Sequence, residues 1–233
     1  MTILAFDTSM AACSAAILHD GAASPIQCFE RMERGHAEAL FPMIEAVMAE
    51  AGCGFGDLTK LAVTVGPGSF TGVRAGVAAA RGFALAAKLR VVAATSLEVM
   101  ARGLVRRTTA AERGSGFMVA HDARREEFYV QSFTAEGEPL SEPELCVLCE
   151  AADALLPDTA LVVGSGAAAI ALEMARHGRE LRTGFADLLP EAGDLAAIAV
   201  NRSPQPQHRQ VAPLYLRAPD AKPQTDKSLA RAG

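Results

Sequence analysis

The run Gly66-Pro67-Gly68-Ser69-Phe70-Thr71-Gly72-Val73-Arg74 carries the residue types an anion site requires. Glycines at 66, 68 and 72 let the backbone turn sharply and come close to a ligand or a neighbour. The Ser69 and Thr71 hydroxyls stand where a helix would begin, and the free N–H groups there favour negative charge. One chemistry of such a turn is a phosphate cradle; the other is close packing of a helix on a sheet, and the residues alone support both. No Lys-Ser or Lys-Thr pair closes the run, so it is not a Walker loop. Asp7, at the end of an apolar run, could hold a metal-bound water in a nucleotide site or form an Asx turn with Ser9. Asp122 carries the same two readings in the second half of the chain. Gly164 and Gly166 flank Ser165 after a second apolar run and form a weaker turn of the same kind. His36 has no second histidine within helical reach, and Cys146-Val147-Leu148-Cys149 is at best half a zinc site. The five cysteines are scattered and suggest buried or idle thiols.

These residues must be positioned by a protein of 233 residues, long enough to bury roughly 70–75% of its unfolded surface. Half of the residues are apolar but only 5% are aromatic and Trp is absent, so the core rests on Ala, Val, Leu and Ile. A formal charge of −5 argues against nucleic-acid binding through the overall field and leaves only local contacts. No apolar run approaches the ~20 residues of a membrane span, and the start lacks a signal peptide's pattern, so the expected location is the cytoplasm.

Leu4-Ala5-Phe6-Asp7 and the run from Cys13 to Leu18 read as strands of a meander closing at Asp20-Gly21. Apolar spacing of three and four predicts a helix over residues 37–51, with Pro42 kinking it or marking its start and Gly52 ending it. Leu61-Ala62-Val63-Thr64-Val65 reads as a buried strand, followed by the glycine turn and an Ala-rich helix to about Lys88. A strand at Val91 and a helix capped by Ser96 continue a parallel βαβ pattern. The polar stretch from Arg106 to Gly116 reads as a solvated link between halves. The second half reopens with Met118-Val119-Ala120-His121-Asp122 and Glu127-Phe128-Tyr129-Val130, and the first unit recurs in it. The expected division is an N-terminal lobe over 1–105, a C-terminal lobe over 106–217 and a disordered basic tail over 218–233. On the helix after the glycine turn, Gly72, Gly76 and Ala80 make a smooth strip that suits either core packing or a subunit interface.

Two β-rich openings with acidic strand ends, glycine turns into helices and a repeat by halves resemble the actin, hexokinase and Hsp70 ATPase superfamily. Its fold is α/β, with two duplicated ribonuclease H-like lobes, each a mixed sheet with helices. Within it, residues 65–80 and Thr95-Ser96-Leu97-Glu98 are similar to the TsaB (YeaZ) family. Asp7-Thr8-Ser9, Gly35-His36-Ala37-Glu38, Asp122-Ala123-Arg124-Arg125-Glu126 and Pro213-Leu214-Tyr215-Leu216-Arg217 match its landmarks in order. The paralogous transferase TsaD carries two metal-binding histidines one helical turn apart, where this chain has Ser96 and Met100, poor ligands for that metal. Superfamily kinases also favour glycine where Ser9 stands.

The resemblance implies a non-catalytic subunit of the tRNA threonylcarbamoyladenosine machinery. It would bind TsaD, meet the ATPase TsaE during turnover, reach tRNA through the complex, and form a homodimer when alone. It implies no catalytic residue and no resident metal, and leaves open ATP or ADP with magnesium at the partner interface. The partner surface it suggests is the helix pair carrying Leu40, Ile44, Val47, Gly72, Arg74, Gly76, Ala79, Ala80 and Phe83. Two rivals stand beside it: an autonomous ATPase or phosphotransferase using Asp7, Asp122 and the glycine turns, and a peptidase, for which no catalytic set is present.

Overall fold

The computed structural model describes residues 1–157, 159, 161–204 and 211–217. The proposed tail over 218–233 lies outside the described residues. The chain begins with β1 (Thr2–Asp7), β2 (Ala12–His19), β3 (Ile26–Arg31), α1 (His36–Glu50), β4 (Lys60–Thr64), α2 (Phe70–Ala87), β5 (Val91–Ala94) and α3 (Ser96–Arg107). After the one-turn helix α4 (Ala110–Arg113) come β6 (Gly116–Asp122), β7 (Glu127–Thr134), β8 (Glu144–Val147) and α5 (Leu148–Asp153). The chain continues through β9 (Leu161–Val163), α6 (Ala167–Arg176), β10 (Arg182–Gly184) and α7 (Ala192–Asn201).

The strands form two five-stranded sheets in the same order. The first runs β3-β2-β1-β4-β5, antiparallel on the β2 side and parallel on the β4 side. The second, β8-β7-β6-β9-β10, repeats both order and directions. A parallel pair requires a crossover, which α2 provides between β4 and β5, whereas the antiparallel pairs close through short turns. The repeat inferred from the two strand openings is therefore an architectural duplication.

Each sheet is covered on both faces. Leu4, Phe6, Leu61 and Val63 of the first sheet pack against Leu40, Ile44 and Val47 of α1 and Val73, Val77 and Ala80 of α2. Its other face, with Ile3, Ala5, Ala16 and Val92, receives Leu195, Ala196 and Ala199 of α7. In the second sheet, Phe117, Val119 and Phe133 pack on Leu97, Met100 and Leu104 of α3. Val130 and Val162 on the opposite face meet Ala151 of α5 and Ile170 of α6. The last helix of each half thus lies on the other half's sheet.

Charged groups secure this exchange. Arg106 of α3 makes a two-pronged contact with Asp194 of α7, at 2.8 and 2.9 Å, and reaches Glu191 at 3.0 Å. Lys60 donates to the carbonyls of Ala199, Val200 and Arg202, where the C-terminal end of α7 attracts a cation.

Three local expectations change. Helix α1 starts at His36 and runs through Pro42, and Gly52, at φ +64°, follows its end. The cap of α3 is Thr95: its hydroxyl accepts the Glu98 N–H at 3.0 Å, and the Glu98 carboxylate accepts the Thr95 N–H at 2.7 Å. Ser96 sits one residue inside the helix, its hydroxyl donating to the Pro67 carbonyl instead. The polar stretch after α3 is not a simple solvated link, because Arg113 is buried and donates to the carbonyls of Val105, Thr108 and Ala135.

Candidate functional site

The glycine turn joins β4 to α2, and what lies against it is the Thr8-Ser9 segment that follows β1. A Cβ on Gly68 would stand 2.0 Å from the Ser9 carbonyl oxygen, and one on Gly72 would stand 2.0 Å from that of Thr8. At Gly76 the obstacle is the Thr8 hydroxyl, 2.6 Å away. The seam is closed by hydrogen bonds: Ser69 N–H donates to the Ser9 carbonyl at 2.7 Å, and the Thr8 hydroxyl donates to the Gly72 carbonyl at 2.7 Å. Ser69 caps α2 by accepting the Gly72 N–H at 3.3 Å, leaving Thr71 exposed. Gly66 passes against the Leu214 carbonyl, with φ +97°. The side on which Gly68 and Gly72 would carry a side chain is filled by the chain's own backbone, so these glycines serve close packing of the turn against the Thr8-Ser9 segment.

Asp7 is fully buried behind this seam. One carboxylate oxygen, Oδ1, accepts the Ser9 N–H at 3.2 Å, the Ser9 hydroxyl at 2.6 Å and the Thr64 hydroxyl. The other, Oδ2, has no partner among the described residues. Burial raises its pKa to about 6, although the hydrogen bonds from Ser9 and Thr64 pull the other way. The Asx arrangement with Ser9 is realised, and no face of Asp7 is open to a hydrated metal.

Asp122 differs from Asp7 in lying at the surface, where its Oδ1 accepts the Arg124 N–H at 2.7 Å. It opens the β6–β7 hairpin, in which Arg124, Arg125 and Glu126 all have positive φ, between 60° and 66°. Consecutive left-handed residues are costly for side-chain-bearing amino acids, about 1–2 kcal/mol each. Arg217 braces this hairpin by donating to the Ala123 carbonyl at 3.0 Å and to the Glu127 carboxylate. Gly164 and Gly166 are packing glycines: added Cβ atoms would meet the Ala120 carbonyl at 2.4 Å and the Phe128 ring at 2.6 Å. Between them, Ser165 Oγ accepts the Asp122 N–H at 3.0 Å and lies 3.2 Å from His121 Nδ1. Burial lowers the His121 pKa to about 4, so the ring is neutral at physiological pH.

A cleft of about 780 Å³ opens between the two lobes. Gly68, Ser69, Phe70 and Arg74 of the first lobe line it, together with His121, Asp122 and Arg124 of the second. The segment from Leu214 to Arg217 completes the wall. The structure therefore brings Asp122 and the outer edge of the glycine turn to one cavity, and leaves Asp7, Gly164 and Gly166 out of its lining. Sequence reasoning missed Phe70 and Tyr215 as cleft residues; the detectable signal was Tyr215, one of only two tyrosines, inside a landmark motif.

The residues of the expected partner surface divide between buried and outward positions. Leu40, Ile44, Val47, Gly72, Gly76 and Ala80 are buried, because both helices turn these faces to the first sheet. Ala79 and Phe83 are half-buried and Arg74 is exposed. Arginine at Gly76 would therefore disrupt the fold itself rather than probe an interface. The outward side of the helix pair carries a shallow apolar groove of about 370 Å³, in which Leu40, Ala79 and Phe83 of the expected surface are joined by Ala37, Phe41, Ala75, Ala78 and Gly82. Phe41 is 51% exposed and Leu85, one turn beyond, 84%.

The helix that would carry TsaD-type metal ligands has Ser96 and Met100 fully buried. Among the described residues, no cluster of three or more His, Cys, Asp or Glu could hold a metal ion. Burial pushes the Cys13 thiol up to about 12 and Cys146 to about 11, which keeps both unreactive. No helix among the described residues is long and apolar enough to cross a membrane.

The duplicated five-stranded sheets, the helices on their faces and the cleft between them define a two-lobed α/β protein whose glycine turn is packed on the segment after its own first strand. Residues 30–178 match the family described as TsaD, tRNA N6-adenosine threonylcarbamoyltransferase. The TsaB protein of Haemophilus influenzae is 32% identical, over 93% of this chain and 94% of its own length. An uncharacterised Mycobacterium tuberculosis protein, Rv3421c, is 33% identical over 95% and 94%. The solved structure of YeaZ from Pseudomonas aeruginosa superimposes with a TM-score of 0.77 at 28% identity, covering 92% of this chain and 99% of that one. The chain belongs to the TsaB/YeaZ family, which is related to TsaD.

Proposed function

We propose that this protein is a non-catalytic subunit of tRNA threonylcarbamoyladenosine biosynthesis, one that docks on a TsaD-type transferase and supports its transfer reaction. The observation that carries the reading is the groove on the outward side of α1 and α2. Small residues at Ala37, Ala75, Ala78 and Gly82 let a partner helix approach closely, and Phe41 supplies an exposed aromatic anchor beside them. Family membership supports TsaD as that partner, because a protein of shared ancestry would offer a similar helix pair to such a groove. Without TsaD, the same groove would pair with that of a second copy.

The closed glycine turn, the buried Asp7 and the buried Ser96 and Met100 support an accessory rather than a catalytic role. TsaE would join the pair during turnover, and any ATP or ADP with magnesium would sit at the partner interface rather than in the turn. The domain reading belongs to the same proposal, with residues 1–105 forming the partner-binding lobe.

The test is co-elution with purified TsaD and measurement of tRNA modification by the pair. Ala78 is exposed in the groove, so Ala78→Arg should abolish the complex and the supported modification while leaving the thermal midpoint of the isolated chain unchanged. Normal co-elution of this variant would remove the groove from the proposal.

A further inference from the structure

The accessory role leaves the rim of the interlobe cleft without a purpose. There Phe70 and Tyr215 are 56% and 49% exposed, with ring centroids 5.4 Å apart and planes inclined by 33°. The Arg74 guanidinium lies over the Phe70 ring, 4.3 Å from its centroid, so Tyr215, Phe70 and Arg74 cluster at the surface. On the other lobe, the left-handed hairpin holds out Arg124, whose side chain is 78% exposed. Among the described residues its nearest carboxylate is Glu33, at 3.9 Å, too far for a hydrogen bond. The third cleft arginine, Arg217, is committed to Glu127 and to hairpin carbonyls. Of the acidic lining, Asp122 already accepts a backbone N–H from Arg124, and Glu33 is exposed. The floor between these groups includes Met10, Val73 and Leu216.

We infer that this rim binds unpaired nucleotides of an RNA strand, with bases stacked on Tyr215 and Phe70 and phosphates met by Arg74 and Arg124. Exposed aromatics interleaved with guanidiniums suit a single strand, because every base offers a flat face and every linkage a charge. A free nucleoside triphosphate would need a backbone cradle for its phosphates, and in the glycine turn the Ser69 and Gly72 N–H groups are spent on the Ser9 carbonyl and the Ser69 hydroxyl. A base-paired helix would hide the flat base faces that Tyr215 and Phe70 could meet. The inference stands on the cleft alone and goes beyond the docking role.

The probe is a short fluorescein-labelled oligoadenylate titrated with the full chain at low salt and followed by anisotropy. The single strand should bind, and its duplex with the complementary strand should not. Tyr215→Ala should weaken binding about tenfold or more, whereas Tyr215→Phe, which keeps the stacking face, should bind nearly as the parent does. Arg74→Ala and Arg124→Gln should each weaken binding and reduce the slope of log affinity against log salt by about 0.7. No anisotropy change with the parent chain, equal affinity of the alanine variants, or equal affinity for the duplex would each overturn the inference. So would displacement by AMP at the same nucleotide concentration, which would mark a pocket for free nucleotides. If Tyr215→Ala lowers the thermal midpoint, Arg124→Gln, on an exposed side chain, carries the test. All four variants should co-elute with TsaD normally, which separates failure here from failure of the docking proposal.

Discussion

Replacing Asp7 with Asn removes the one fully buried carboxyl group at the centre of the closed seam and should leave a signature in the pH dependence of stability. In the folded chain this group holds its proton up to about pH 6, whereas the unfolded chain releases it near 3.8. Between these values the folded state binds more protons, so this group's contribution to stability falls as pH rises and is fully lost above about 6. At about 1.4 kcal/mol per unit, the swing is about 3 kcal/mol. Asparagine has the same shape and can still accept from Ser9 and Thr64, but does not titrate. Urea unfolding of both proteins from about pH 4 to about pH 7 isolates the effect, because every other titrating group cancels in the difference. The stability of Asp7→Asn relative to the parent should rise by about 2.5 kcal/mol across that range, most of the full swing, whatever its offset at the acid end. A difference that stays flat, or falls with pH, would refute the account of a carboxyl raised by burial.

Gly72→Ala places a methyl group 2.0 Å from the Thr8 carbonyl, and because both sides are backbone the seam must open; a loss of about 3 kcal/mol or more in chemical denaturation is expected. Arg106→Leu strands Asp194, whose side chain is only 3% exposed, and should destabilise by about 3 kcal/mol, with Asp194→Asn in the same chain recovering part of that loss in a double-mutant cycle. Lys60→Met keeps the aliphatic stem but removes the cation from the C-terminal end of α7, and should lower stability by about 1–2 kcal/mol. Hydrogen exchange should then show the last turn of α7 opening first.

The parts of this fold legible in the sequence are those whose signals are local. The apolar β-branched run at 61–65, followed by glycines and an Ala-rich helix, needs no distant residue to be read, and β4, the turn and α2 follow it. The repeat was legible because both halves begin with the same strand, turn and strand. What fills the glycine turn was not, since glycine states that something comes close without saying what; here it is Thr8 and Ser9, a whole strand pairing away. The α3 cap moved by one residue because Ser96 and Thr95 are both competent, and only the tertiary bond to Pro67 distinguishes them. The burial of the small strip on α2 was hidden for a related reason. The smoothest strip suits the closest approach, and the sheet beneath claims it, which leaves Ala75 and Ala78 on the outward side. The cleft joins Phe70 to Tyr215 across most of the chain, a proximity no local pattern encodes.

The exchange of helices between the halves also governs how the molecule comes into being. As the chain is synthesised, the first sheet is complete once β5 has emerged, yet one of its faces stays bare until α7 arrives about a hundred residues later. Helix α3 is made early and has no sheet to lie on until β6, β7 and β9 appear. Either half expressed alone would therefore present a wide oily surface and aggregate, and mixing the two separately made halves could restore the molecule only by mutual rescue. In a calorimeter the intact chain should melt in one step. The two repeated units are thus interlocked, and each completes the core of the other.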